Sequence, residues 1–441
     1  MPSSDDSHRA PRWHRWLAFS LLVLILVGGG FRRAFGQDPA AQPAARPDGP
    51  PANSPPATVP ADDYLQDPYD ENLKNDRSDV QGILRVGQFA PGQQVLFDRY
   101  YQQHALARWT LPENRGRLTD YRRDLQNHLR SAKTSPVHNH LNTLALEFFR
   151  KLAAGRYHPP TRVGAMLMIG ELNEVEAPSP SKLPVALPQA RDVLLQTVSD
   201  PQQIEAVQVA ALVGLSRHAQ IGIPDTNAGK AVTDAMLALI KSKRPAERSV
   251  DVHAWMLAQA AEILGELGAV GEGGAGGTAL NDMVADSKLS WSGEPRVAAA
   301  EALGRLNYQN AAALNASASA FATALGQLVA DACAVEAESQ NPSPRRLKNR
   351  VGAALVGLTG PSLDGTAGVA SFATGPPHQA LVAELKKSLE AILGVIDANE
   401  KDGKAMKEQL APEAAKLSRL LTSGPAKNAS RNRTEPFRER V

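Results

Sequence analysis

Along Arg296–Leu306 (RVAAAEALGRL), Ala299, Ala300, Leu303 and Leu306 recur at the three- and four-residue spacing of one helix face. Two of these four are alanines, so a neighbouring helix can come close. Glu301 and Arg305 sit four apart on the opposite face, the favourable order for a solvated ion pair. Weaker copies of the pattern recur at Arg162–Leu172, Val207–Leu215, Leu257–Leu267 and Arg350–Leu358. Pro295 directly precedes the strongest copy, and Pro160, Pro201, Pro245 and Pro344 lie upstream of the others. Proline at a first helical turn costs no hydrogen bond. Asp200 and Ser343 stand just before two of these prolines, as N-caps. Each copy closes on a glycine: Gly170, Gly214, Gly265, Gly304 and Gly357, separated by 44, 51, 39 and 53 residues.

The same periodicity predicts the remaining helices. Pro136–Ala154 pairs with a helix running to Asn173, and Leu187–Ser199 with Pro201–Arg217. Asp225–Lys241 pairs with Glu247–Leu267, Thr278–Ser287 with Pro295–Leu306, and Ala318–Glu338 with Pro344–Leu358. Gln379–Ala398 with Lys404–Leu421 makes six pairs. Gly-, Ser- or Pro-rich loops are expected at Val175–Lys182, Gly268–Gly277 and Gly360–Pro377. Ahead of the pairs, Val95–Trp109 and Leu118–Ala132 read as two further helices.

The Arg296–Leu306 stretch resembles the signature of HEAT-like repeats of the phycobilin-lyase type, an Arg followed by an Ala-rich helix ending in Leu-Gly. Arg296, Val297, Ala299, Ala300, Ala302, Leu303, Gly304 and Leu306 carry the match, which extends in weaker form over about residues 136–422. Such two-helix repeats have a period of about 40–47 residues, with insertions placed in loops. The resemblance implies an all-α fold, an irregular right-handed α-solenoid of about six HEAT-like helix pairs, in a protein of exported bacterial type. It implies no reaction. Families with this repeat include scaffolds, DNA glycosylases and phycobilin lyases, so function has to come from a site.

Composition fits packed helices. Aromatics are 5% of the 441 residues and hydrophobics 43%, too few large rings for a β-sandwich. A net charge of +2 gives no global pull toward nucleic acid. With Cys333 alone there is no intrachain disulfide, and its place among Leu325, Leu328, Val329 and Ala332 reads as a small buried side chain.

The N-terminus carries an address. Arg9, Arg12 and Arg15 precede an apolar run from Trp16 to Gly30, followed by Arg32 and Arg33 and then the small residues Ala34 and Gly36. That pattern fits a signal peptide cut before Gln37, or an uncleaved membrane anchor. Either reading places the rest of the chain in the periplasm, free or tethered, unless Arg32 and Arg33 beyond the apolar core reverse its orientation. The expected organisation is leader or anchor (1–36), Pro/Ala-rich disordered linker (37–63), N-terminal helical segment (64–135), repeat array (136–422) and disordered basic tail (423–441).

Candidate chemistry is sparse. Gly271–Gly276 spells G-x-G-x-x-G, but a helix precedes it and no βαβ pattern surrounds it, so it reads as an inter-repeat loop. His138 and His140, with His128 and His158 nearby in sequence, are too few at one face to hold a metal, because residues two apart on a helix point to opposite sides. Arg162, Arg296 and Arg350 open inner helices, where a cation opposes the helix dipole. They are expected to tie repeats together through a carboxylate or a backbone carbonyl. From Arg108 to Lys133 seven basic residues face three acidic ones. Arg115, Arg117, Arg122, Arg123 and Arg130 are therefore the candidates for an anionic partner, against the plainer reading of a solvated face. The expectation is a non-enzymatic extracytoplasmic scaffold with a protein partner and no cofactor or metal. Nucleic acid is not expected, and the membrane is met only through the N-terminus. The alternatives are an enzyme of the bilin-lyase-like type, or a binder of an anionic lipid, polysaccharide or nucleic acid.

Overall fold

The computed structural model describes residues 64–431, without 180, 289–293 and 310 and without the side chains of 294 and 423–431. The expected leader (1–36), linker (37–63) and the end of the tail (432–441) lie outside the described residues. Within them the chain is mostly helical, with one short hairpin as its strand structure, and it divides inside a helix, after Gly214, into two compact units.

In the first unit, Asp67 pins the start of the described chain by accepting from the Tyr157 hydroxyl (2.7 Å) and pairing with Lys151 (2.6 Å). Helix α1 (Arg77–Val86) buries Val80, Ile83 and Leu84 and packs on α2 (Gln93–Tyr100) and α3 (Leu118–Ala132). The helix expected over Val95–Trp109 is broken. After α2 the backbone widens into a π turn over Tyr101–Ala105 and then tightens into a 3₁₀ turn over Ala107–Thr110. Tyr100, Tyr101 and then His104–Ala107 are all buried, more than one face of a straight α-helix can hide. Helix α3 follows its predicted range and turns Tyr121, Leu125 and Leu129 inward. It closes on Lys133, a non-glycine residue at φ 53°.

Ser135 caps α4 (Pro136–Ala154), its hydroxyl accepting from the His138 N–H at 3.2 Å, with Pro136 in the first turn. Helix α5 (Pro159–Glu171) packs on both α3 and α4. The segment 64–135 therefore shares one body with the first helices expected of the array. The hairpin β1 (Asn173–Val175) and β2 (Val185–Ala186) is antiparallel and frames the loop expected over 175–182. Helix α6 (Pro188–Ser199) then leads to α7 (Glu205–Ile221). Asp200 does not cap a helix beginning at Pro201. It accepts from the Gln202 N–H at 2.9 Å in a turn, and α7 begins only at Glu205.

The second unit holds α8 (Thr226–Lys241), α9 (Val250–Leu267), α10 (Ala275–Ala285), α11 (Glu294–Leu303), α12 (Ala318–Glu338) and α13 (Pro344–Thr359). After them come the short α14 (Gly368–Phe372), then α15 (Pro376–Ala398) and α16 (Gly403–Arg431). Asp225, Ser249 and Ser343 accept N–H bonds at the starts of α8, α9 and α13. Two rows result. Helices α9, α11, α13 and α15 pack in sequence, and α8, α10, α12 and α16 pack alongside. The final pair enters in reverse, first helix into the α9 row. Part of the loop expected over 360–377 is α14, whose Phe372 ring lies 4.4 Å from Tyr308 and 5.7 Å from Phe321. That anchor delivers the chain beside α13. Helix α16 continues to Arg431, so the described part of the expected tail is helical backbone.

The five motif glycines lie at points of close approach. A Cβ on Gly170 would come within 2.6 Å of the Gly214 Cα, joining α5 to α7. One on Gly265 would stand 2.9 Å from the Ala302 Cα, joining α9 to α11. On Gly304 it would strike the Val356 carbonyl oxygen, and on Gly357 it would stand 2.6 Å from the Ala300 oxygen, both between α11 and α13. The partners are backbone atoms, which cannot rotate away. Gly352, on the same α13, has open space where a Cβ would go. Gly357→Ala is therefore expected to lower stability by about 1–3 kcal/mol through overpacking. Gly352→Ala should raise it by about 0.4–1 kcal/mol by restricting the unfolded chain. Urea unfolding of the two variants checks the opposite signs.

Candidate functional site

Helices α1 and α3 border a groove of about 200 Å³ lined by Arg77, Gln81, Leu84, Arg85, Asp124, Asn127, His128 and Ser131. The spacing explains the lining. Residues 77, 81 and 85 recur every four positions along α1, and 124, 127, 128 and 131 follow the same helical stripe on α3. The opposite faces carry the apolar residues that hold the helices together.

The groove presents donors. Arg77 and Arg85 are exposed, and neither is in an ion pair among the described residues. Asp124 is already engaged: the Arg108 guanidinium lies 3.3 Å from its carboxylate and also stacks 4.0 Å above the Tyr121 ring. Ser131 donates to the Asn127 carbonyl at 2.8 Å, so its hydroxyl is not activated by His128. Behind the groove, the Tyr101 hydroxyl lies 2.9 Å from His128 Nδ1. Burial raises the Tyr101 pKa well above its ordinary value, so this hydroxyl keeps its proton. Burial pushes the imidazole down to about 4, opposed by Asp124 and helped by Arg77 and Arg108. His128 Nδ1 is thus engaged with the Tyr101 hydroxyl in either tautomer, and the ring stays neutral down to about pH 4.

The five arginines nominated from sequence do not converge here. Arg122 lies 3.4 Å from Glu171 and links α3 to α5, with both side chains mostly buried. Arg123 pairs with Asp120 at 2.8 Å within α3. Arg117 lies over the Tyr121 ring at 5.3 Å, and the buried Nε of Arg115 has no partner among the described residues. Arg130 is exposed at the end of α3. An Arg122→Glu change therefore disturbs packing before it reports on any ligand. Arg77 and Arg85 were missed because they precede the basic run. Their signal was the four-residue polar spacing Arg77, Gln81, Arg85 beside Val80, Ile83 and Leu84.

His138 and His140 part as their spacing requires. His140 Nε2 meets Asp98 at 2.5 Å, while the fully buried His138 turns to Glu176 at 3.4 Å. The Gly271–Gly276 run forms a 3₁₀ turn entering α10, with α9 before it and no strand. Cys333 is buried, its thiol pushed up to about 12 by burial and by Glu336.

Two of the three expected arginine ties, those of Arg296 and Arg162, are present. Arg296 donates through Nε to the Val284 carbonyl (2.7 Å) and pairs with Asp331 of α12 (2.9 Å). Arg162 repeats the mode, with Nε to the Ala153 carbonyl at 3.0 Å and Nη2 to the Gln203 amide oxygen. In each case the carbonyl belongs to the next-to-last residue of the preceding helix. Arg162 thus meets the expected backbone carbonyl, with an amide oxygen where Arg296 has a carboxylate. Arg350 is half-buried, and burial, then Arg346, lowers its pKa.

No protein-family model matches the chain, and no curated protein matches it.

Two outcomes follow from this geometry. Arg296→Ala leaves the buried Val284 carbonyl without its donor and Asp331 with only the Gln327 amide, and should cost about 1–3 kcal/mol, read as a lowered urea midpoint. For His128 the unfolded ring takes up a proton near its ordinary 6.5, while the folded ring resists until about 4. Its contribution is fully present above pH 6.5 and is lost as pH falls toward 4, by roughly 2–3 kcal/mol. Unfolding series at pH 7 and pH 4.5 should show this slope in the wild type and a shallower one in His128→Gln.

Proposed function

We propose that this chain is an exported, non-enzymatic binding scaffold, a HEAT-like right-handed solenoid of about six helix pairs carrying a short helical N-terminal segment. One observation supports the reading above the others: the glycines that close the sequence copies sit at close backbone approaches between successive helices. Stacked helix pairs of this kind give a long surface whose use is recognition of an extended partner. The export part of the proposal rests on the basic and apolar pattern of residues 9–36.

The enzymatic alternative would need room for a chromophore or substrate. Ligand pockets for such molecules run to about 300–1,000 Å³, so that reading needs a pocket other than the α1–α3 groove of about 200 Å³. In the cells that make it, the full chain is expected in the periplasmic or membrane fraction. Cross-linking there, followed by purification, should recover one protein partner in near-stoichiometric amount. A chain confined to the cytoplasm, or one purified with a bound chromophore, would contradict the proposal.

A further inference from the structure

We propose that the groove between α1 and α3 is a binding site for a peptide bearing acidic side chains, with Arg77 and Arg85 taking its carboxylates. Three features of the groove carry this. First, two arginines without ion pairs line a single groove. Guanidinium forks match carboxylates with two parallel hydrogen bonds. Second, the space between them is polar and neutral. Gln81, Asn127 and the neutral imidazole of His128 are groups suited to a peptide backbone, and the one acid in the lining, Asp124, is held by Arg108. Third, the length suits an extended chain. Eight residues of helix separate Arg77 from Arg85, about 12 Å of axial rise. Four residues of extended peptide cover about 13 Å, whereas a single small anion spans a fraction of it.

The site does not depend on the scaffold reading. It can be measured on the purified chain whether or not a cellular partner is ever recovered.

The test is fluorescence anisotropy of the full chain with a fluorescein-labelled, C-terminally amidated tetraglutamate, at low salt. Wild type is expected to bind saturably, and labelled tetraglutamine is not. Arg77→Gln/Arg85→Gln should weaken binding at least about tenfold, while Arg123→Gln/Arg130→Gln, whose cations lie outside the groove lining, should leave it within about twofold. Thermal melts establish that each variant is folded. Should the groove double variant fail to fold, Ser131→Glu serves in its place. That exposed position puts a fixed carboxylate into the groove, and loss of binding is again expected. Absent saturable binding, or an equal loss in the Arg123/Arg130 variant, would overturn the site in favour of diffuse charge attraction. Displacement of the peptide by inorganic phosphate at equal concentration would overturn the peptide assignment in favour of a free-anion site.

Discussion

The structure depends on backbones that meet almost directly. Where α5 meets α7, α9 meets α11 and α11 meets α13, the contact is made by glycine or alanine against backbone atoms. A closer approach increases dispersion contact along the helices and leaves no room for a side chain between them. The Ala-rich composition, which gives up large buried rings, is offset by this proximity. It also explains why the arginine ties lie at helix ends. The crossing surfaces have no space for long side chains, so polar linkage between neighbouring helices is displaced to the termini, as Arg296 and Arg162 show.

The candidate groove sits apart from this packing logic. The groove identified is in the first unit, between two helices that belong to none of the sequence copies. Its walls are set by apolar stripes on the far faces of α1 and α3, which leave a polar stripe on each to face solvent. Tyr101 reaches His128 because the π turn after α2 rotates successive aromatics inward. An irregular stretch of backbone thereby occupies one ring nitrogen of a groove histidine.

Much of this fold was legible from the chain alone. The ranges of α3, α4 and α12 follow from periodicity, and the caps Ser135 and Ser343 from residue type. Local signals of this kind act within a few residues. What escaped depended on tertiary context. Helix α1 is ten residues long and holds a glycine, so its pattern is weak until α3 covers it. The break after Tyr100 follows from how many aromatics must be hidden, which no window of sequence reveals. The reversed final pair follows from Phe372 seating against Tyr308 and Phe321. The basic run 108–133 was plainly visible, yet charge density says nothing about pairing. Glu171 and Asp120 had already engaged Arg122 and Arg123, and the two arginines that line the groove, Arg77 and Arg85, lie ahead of the run.

The central claim is that small residues let successive helices pack at near-backbone contact. An experimental structure of the second unit's α9, α11 and α13 tests it most directly, through the interaxial distances at the Gly265–Ala302 and Gly304–Val356 approaches. The account predicts separations at or below about 8 Å, the lower end of the usual 8–10 Å. Separations near 10 Å, with side chains interposed between the helices, would contradict it.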